Sequence, residues 1–81
     1  MKARVHIFYK DSIFDPEGNT VLDSLKRQGF SQVTNVRMGK AIDIYLEGTT
    51  KESAQRDLQK MCESFLVNPV IESCKIEIKS E

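Results

Sequence analysis

Few residues of this 81-residue sequence could carry out nucleophilic or acid–base chemistry. His6 is the single histidine, and no serine, cysteine or carboxylate is tied to it by spacing, which favours a structural or surface histidine over a general base. The two cysteines, Cys62 and Cys74, do not have a metal-binding spacing, and each falls in phase with apolar neighbours, which predicts small core residues. We therefore expect no catalytic residue, metal ligand or bound cofactor in this chain.

One cationic cluster stands out, in which Arg37 and Lys40 lie on either side of Gly39. Such a pair could bind an anion or the carboxylate of a partner protein. Charges that merely flank a turn give the same pattern, so the residues alone leave both interpretations open.

The stretch 32–48 around this cluster alternates apolar and polar residues, which predicts extended chain with one buried face. At about 3.3 Å per residue, residues 36–46 would span roughly 33 Å. A globule of this size is only about 30 Å across. The stretch must therefore form a hairpin at residues 38–40, bend there, or continue into the sheet of a second chain.

A helix is predicted on each side of this stretch. The first begins with Asp15 as N-cap and Pro16 in the first turn or, after a turn through Gly18, with Asn19 as N-cap. It ends at Gly29, the expected left-handed C-cap. The apolar residues of this first helix form one stripe: Val21, Leu22 and Leu25.

The second helix starts at Thr49, which has capping-box spacing to Glu52, and stops at Asn68-Pro69. Its apolar residues recur with helical spacing: Ala54, Leu58, Met61, Cys62, Phe65 and Leu66. Alternating apolar residues predict strands at residues 3–10 and 70–79.

These elements predict an α+β fold over a single domain, residues 1–81. Two helices would pack on one face of an antiparallel sheet in the ferredoxin-like order β-α-β-β-α-β. The 33–47 stretch would be either a hairpin or one long bent strand shared with a dimer partner.

The composition narrows the function classes. Twelve Lys and Arg balance twelve Asp and Glu, so the basic excess of a nucleic-acid-binding protein is missing. No apolar run is long enough to span a membrane and the start lacks a signal-peptide core, so we expect a cytoplasmic chain. An assembly module is favoured by the long strand, and the alternative is a free-standing regulatory domain that binds a small ligand.

Several strings, taken in order, resemble the PurS subunit family of phosphoribosylformylglycinamidine synthase. They are Asp15-Pro16-Glu17-Gly18, Val36-Arg37-Met38-Gly39-Lys40, Met61-Cys62-Glu63 and Leu66-Val67-Asn68-Pro69-Val70-Ile71-Glu72. The resemblance covers essentially the whole chain. Cys74 departs from it, because the family tends to carry a large residue there.

The resemblance implies a required but noncatalytic subunit of a glutamine- and ATP-dependent complex of purine biosynthesis. The partners implied are a glutaminase subunit and a large synthetase subunit, which would bind ATP and magnesium. The chain itself would form a homodimer, with a tetramer as the further alternative, and would bridge the two partners. The resemblance also implies subunit-interface residues at the shared strings: Arg37, Gly39, Lys40, Asp15, Pro16, Gly18, Asn68 and Pro69.

Overall fold

The computed structural model describes residues 1–79. It contains three strands and two helices, the second of which continues into one π-helical turn. In chain order they are β1 (Lys2–Tyr9), α1 (Pro16–Arg27), β2 (Gly39–Tyr45), α2 (Lys51–Met61), the π turn (Cys62–Leu66) and β3 (Glu72–Lys79). The α+β class with an antiparallel sheet is confirmed.

Strand β1 lies in the middle of the sheet, in the order β2-β1-β3, and is antiparallel to both neighbours. The register places Val5 opposite Ile42 on one side and Ile76 on the other. Because side chains alternate across a strand, these three residues share one face of the sheet, and α2 covers that face.

The core is small and lies between this face and α2. Its fully buried residues are Ala3, Val5, Ile7, Ala54, Leu58 and Cys62. All the helical residues in it or packed against it come from α2 and the π turn. In α1 only Gly18 is buried, so the apolar stripe of that helix does not contribute to the core. The chain is accordingly elongated, with extents of 50 × 29 × 14 Å.

The 33–47 stretch contains one strand, not a hairpin. Gly39 is the first residue of β2 and pairs with Phe8, so it neither turns the chain back nor bends the middle of a strand. The choice between hairpin, bend and exchange with a second chain assumed a compact globule about 30 Å across. The elongated shape accommodates the whole stretch within one chain.

The helix ends follow local chemistry closely. Asp15 is the N-cap of α1 and Pro16 lies in its first turn, whereas the alternative N-cap, Asn19, lies inside the helix. Gly29 has a φ of 100°, as expected for a left-handed residue after the helix. Helix α2 is capped by Thr50, whose hydroxyl accepts a hydrogen bond from the Ser53 N–H at 3.2 Å, so the predicted cap at Thr49 was wrong by one residue.

The opposite face of the sheet is open and carries paired charges. The Arg4 guanidinium donates two hydrogen bonds to the Asp43 carboxylate, at 2.8 and 3.1 Å, and Lys2 lies 3.6 Å from the same group. These contacts, with the hydrogen bond from Arg4 foremost, lower the pKa of Asp43 to about 2. Charges of both signs across neighbouring strands keep this face hydrated.

Candidate functional site

Most of the predicted interface residues meet at one end of the sheet. Strand β1 ends there at Tyr9, and its antiparallel neighbours β2 and β3 begin there, at Gly39 and Glu72. The N-terminus of α1 is attached to the same end. We call this group the junction; its members are Asp15, Pro16, Gly18, Arg37, Gly39 and Lys40.

Asp15 connects the two halves of the junction. It is only 2% exposed. One carboxylate oxygen, Oδ1, accepts a hydrogen bond from the Gly18 N–H at 2.8 Å, and Oδ2 accepts one from the Met38 N–H at 2.6 Å. The N–H groups of Gly18 and then Met38 lower the pKa of Asp15, and the nearby charge of Arg37 adds to the effect. Asp15 is therefore an ionised cap that also holds the chain entering β2.

Gly18 allows the backbone at Val36 to come close to the first turn of α1, because glycine has no side chain. A Cβ atom at this position would collide with the backbone carbonyl oxygen of Val36 and would lie 2.8 Å from Asp15 Oδ2. Gly39 has a similar role in the sheet, because a Cβ there would lie 2.8 Å from the carbonyl oxygen of Ile7. Close packing within this chain therefore explains why glycine is required at both positions.

Arg37 also has a structural role that sequence reasoning missed. Its Nη2 donates hydrogen bonds to the carbonyl oxygens of Lys10, at 3.0 Å, and Ile13, at 2.7 Å. The residues alone had left open whether this charge flanks a turn or binds a partner, and the family resemblance implied a subunit contact. The structure uses it to fasten the loop between β1 and α1, while Lys40 remains exposed beside it.

Asn68 and Pro69 form the turn between the π turn and β3. The Asn68 side chain accepts a hydrogen bond from the Val70 N–H at 3.1 Å, and the Asn68 N–H donates to Glu72 Oε1 at 2.8 Å. The turn joins the junction's end of the sheet, since the Lys10 N–H donates to the Ile71 carbonyl at 2.9 Å. Asn68 thus has a structural role as well.

A shallow cleft of about 280 Å³ opens at the junction. Its lining residues mix apolar and charged side chains: Ile7, Phe8, Tyr9, Glu17, Met38, Gly39, Lys40 and Glu72. The two carboxylates of the cleft, Glu17 and Glu72, belong to the sequence strings that carried the resemblance. The resemblance was therefore the signal that could have identified them as site residues. The cleft combines opposite charges with exposed aromatic surface, a character suited to a protein contact.

The cysteines behave as core residues. Cys62 is buried, and burial together with the neighbouring Cys74 raises the pKa of its thiol to about 11. A thiol with that pKa is protonated at neutral pH and is a poor nucleophile. Within residues 1–79, no group of three or more His, Cys, Asp or Glu side chains is placed to hold a metal ion.

Large apolar side chains are exposed at three places outside the junction, one of which is Tyr45 at the end of β2, at 69%. Phe14, Val21 and Phe30 flank or lie on α1, at 69%, 36% and 47% exposure. Phe65 and Val70 lie near the end of the π turn, at 86% and 76%. Among the helices of residues 1–79, none has the length and apolar character needed to cross a membrane.

Comparison with known proteins gives consistent matches. The family model PurS, described as phosphoribosylformylglycinamidine (FGAM) synthase, matches residues 2–80. The PurS subunit of Archaeoglobus fulgidus is 40% identical over 94% of this chain and 95% of its own length. That of Methanocaldococcus jannaschii is 37% identical over 96% of this chain and 94% of its own length.

Solved structures match in the same way. The crystal structure of Methanocaldococcus jannaschii PurS has a TM-score of 0.90 at 35% identity, with 99% of this chain and 96% of that chain covered. A chain in the structure of PurLQS from Thermotoga maritima has a TM-score of 0.85 at 33% identity, with 94% and 93% covered.

The close approach at Gly18 can be tested by replacing Gly18 with alanine. We expect Gly18→Ala to lower the free energy of unfolding by about 1–3 kcal/mol, because the new methyl group displaces the Val36 carbonyl. Urea denaturation measures this loss. Asn19→Ala, at the next and exposed position, is the control and should change stability by less than about 0.5 kcal/mol. Equal stability of the two variants would contradict the close approach.

Proposed function

Because the chain belongs to the PurS family, we infer that it serves as the small subunit of phosphoribosylformylglycinamidine synthase in purine biosynthesis. The observation that carries this inference is the match over nearly the whole chain to PurS subunits. The similarity to a chain of the Thermotoga maritima PurLQS structure supports a complex with two further kinds of subunit. The complex would act in the cytoplasm, where purine precursors are made.

Within the complex this chain is an assembly subunit. A synthetase subunit would bind ATP and magnesium, and a glutaminase subunit would release ammonia from glutamine. The elongated shape and the several exposed contact surfaces suit a chain that bridges larger subunits.

The proposed state of the chain is a homodimer, with association to a tetramer as the further alternative. Two features support it. Helix α1 carries an apolar stripe that is only partly buried and does not pack against the core of its own chain. Strand β2 is at the edge of the sheet, where its outer backbone groups can pair with another strand. A second copy could cover both.

The alternative function, a free-standing domain that binds a small ligand, has less support. Ligand pockets usually enclose about 300–1,000 Å³ and bury most of the ligand. The cleft at the junction is slightly smaller than that range and shallow. Its lining of opposite charges also lacks a predominantly apolar interior.

The bridging role predicts a reconstitution result. Adding the purified chain to the synthetase and glutaminase subunits of the same organism should restore glutamine-dependent formation of the amidine product, with ADP release as the readout. Ammonia-dependent activity of the synthetase alone is the control. Unchanged glutamine-dependent turnover, together with no co-elution of the three proteins, would contradict the proposed function. A saturable rise in Tm of the isolated chain with an amino acid or nucleotide would favour the alternative.

Replacing Lys40 and replacing Arg37, the two cations of the junction, should have different effects on partner binding and on Tm. Lys40→Ala should weaken co-elution with the partner subunits while leaving the Tm of the isolated chain within about 2 °C, because exposed charges contribute little to stability. Arg37→Ala should lower the Tm by several degrees, because two carbonyl oxygens lose their hydrogen bonds. Thermal unfolding followed by circular dichroism gives both values. If the Tm of Arg37→Ala equals that of the unmodified chain, the hydrogen bonds of Arg37 do not stabilise the fold. That result would contradict the structural role of Arg37 and favour a contact with a partner.

The dimer proposal predicts that a charge introduced on the apolar stripe of α1 lowers the mass of the protein in solution. Leu25→Asp places a charge on the apolar stripe and should shift the solution mass at micromolar concentration from dimer to monomer. Ser24→Asp adds the same charge at the neighbouring exposed position and should leave the mass unchanged. Light scattering after size exclusion provides the measurement. A dimeric Leu25→Asp variant would show that α1 is not at the interface.

A further inference from the structure

The two cysteines of the chain lie at the same end of the core. Cys62, the first residue of the π turn, belongs to the buried core and is 1% exposed. On β3, Cys74 lies directly opposite Ile7 of β1, which is also a core residue. Because residues directly opposite each other on neighbouring strands project to the same face of a sheet, Cys74 points to the helical side. It packs there against the core that contains Cys62.

The two thiol groups interact with each other. Burial raises the pKa of Cys62 to about 11, and a hydrogen bond with the Cys74 thiol, followed by the charge of that group, adds to the increase. A hydrogen bond between thiols places the two sulfur atoms side by side. Neighbouring sulfurs held by two different elements, here the π turn and β3, are the starting arrangement for a disulfide.

The two thiols differ in their access to solvent. Cys62 is enclosed, whereas Cys74 is half-buried and belongs to a strand at the edge of the sheet. Because oxidation of a cysteine depends on its exposure, a small oxidant reaches Cys74 first. Cys62 is then the group positioned to react with an oxidised Cys74. An exposed first thiol beside a second, resolving thiol is the arrangement found in redox-sensitive cysteine pairs.

We propose that Cys62 and Cys74 form a redox-active pair, which a peroxide converts into an intrachain disulfide and a small thiol returns to the reduced form. This inference concerns the chain itself and does not depend on the partner subunits. The disulfide would connect the π turn to β3 and close the loop of residues 62–74, which contains the turn at Asn68.

The reaction proceeds in two steps. The Cys74 sulfur attacks one peroxide oxygen and becomes a sulfenic acid, S–OH, while the other oxygen leaves as water with the proton of the Cys74 thiol. The Cys62 sulfur then attacks the Cys74 sulfur and the S–O bond breaks. The departing hydroxide takes the proton of Cys62 and leaves as a second water. The two sulfurs together lose two electrons, which the peroxide accepts.

The test treats the reduced full chain with hydrogen peroxide and measures its intact mass and its free thiols after denaturation. We expect the loss of two hydrogen atoms, the disappearance of both free thiols, and a cross-linked fragment that contains residues 62 and 74. Dithiothreitol should restore both thiols. The Tm of the oxidised chain should be higher by about 5 °C or more, because the closed loop limits the freedom of the unfolded chain.

Two variants separate the roles of the thiols. Cys62→Ala removes the resolving sulfur, so dimedone should trap the sulfenic acid of Cys74 about ten-fold more than in the unmodified chain. Cys74→Ser removes the accessible thiol, and the buried Cys62 thiol should survive the same treatment.

Three results would overturn the proposal: oxygen added to the cysteines without a disulfide, disulfides between chains in place of the intrachain one, or a lower Tm after oxidation. The unmodified chain supplies all three measurements, so they remain decisive if either variant fails to fold.

Discussion

The carboxylate of Asp15 fixes the relation between helix α1 and the sheet. Its two oxygens accept hydrogen bonds from backbone groups on either side of the long connection, at Gly18 and Met38. A neutral or shorter side chain could not satisfy both donors in a site that excludes water. The same donors lower the pKa of Asp15, so that the group is ionised throughout the physiological pH range.

This attachment explains the shape of the chain. Helix α1 is held at its N-terminus by Asp15, by the approach of Gly18 to Val36 and by the loop that Arg37 fastens. The rest of the helix extends away from the core, which α2 alone covers. A short chain that directs one helix outward leaves apolar surface uncovered, and surface of this kind is typical of proteins that function in assemblies.

Elements governed by local chemistry were predictable from the sequence. The helix start at Asp15-Pro16, the left-handed Gly29 and the alternation of β1 follow from interactions within a few residues. The family resemblance, confirmed by the comparisons, also identified the strings that meet at the junction. The outward course of α1 was not predictable, because a helix with one apolar stripe looks the same whether its own sheet or a partner covers it.

Two details of the structure involve individual hydrogen bonds that sequence patterns do not reveal. The bonds from Arg37 to the carbonyl oxygens of Lys10 and Ile13 join residues more than twenty positions apart, and no periodicity reports such a contact. Phe65 is 86% exposed and lies in the π turn that the hydrogen bond from the Val67 N–H to the Cys62 carbonyl oxygen closes. Spacing assigned Phe65 to the core because it assumed a regular helix to the end.

The open face of the sheet carries paired charges together with two exposed aromatic rings, those of Phe8 and Tyr45. There Arg4 and Asp43 pair across β1 and β2, and His6 lies 3.5 Å from Glu77 on β3. A partner that covered this face would have to remove water from the charged groups on it, and this desolvation opposes association. The exposed apolar side chains on and beside α1 carry a smaller desolvation cost. Covering α1 therefore requires less removal of water from charged groups than covering the open face of the sheet.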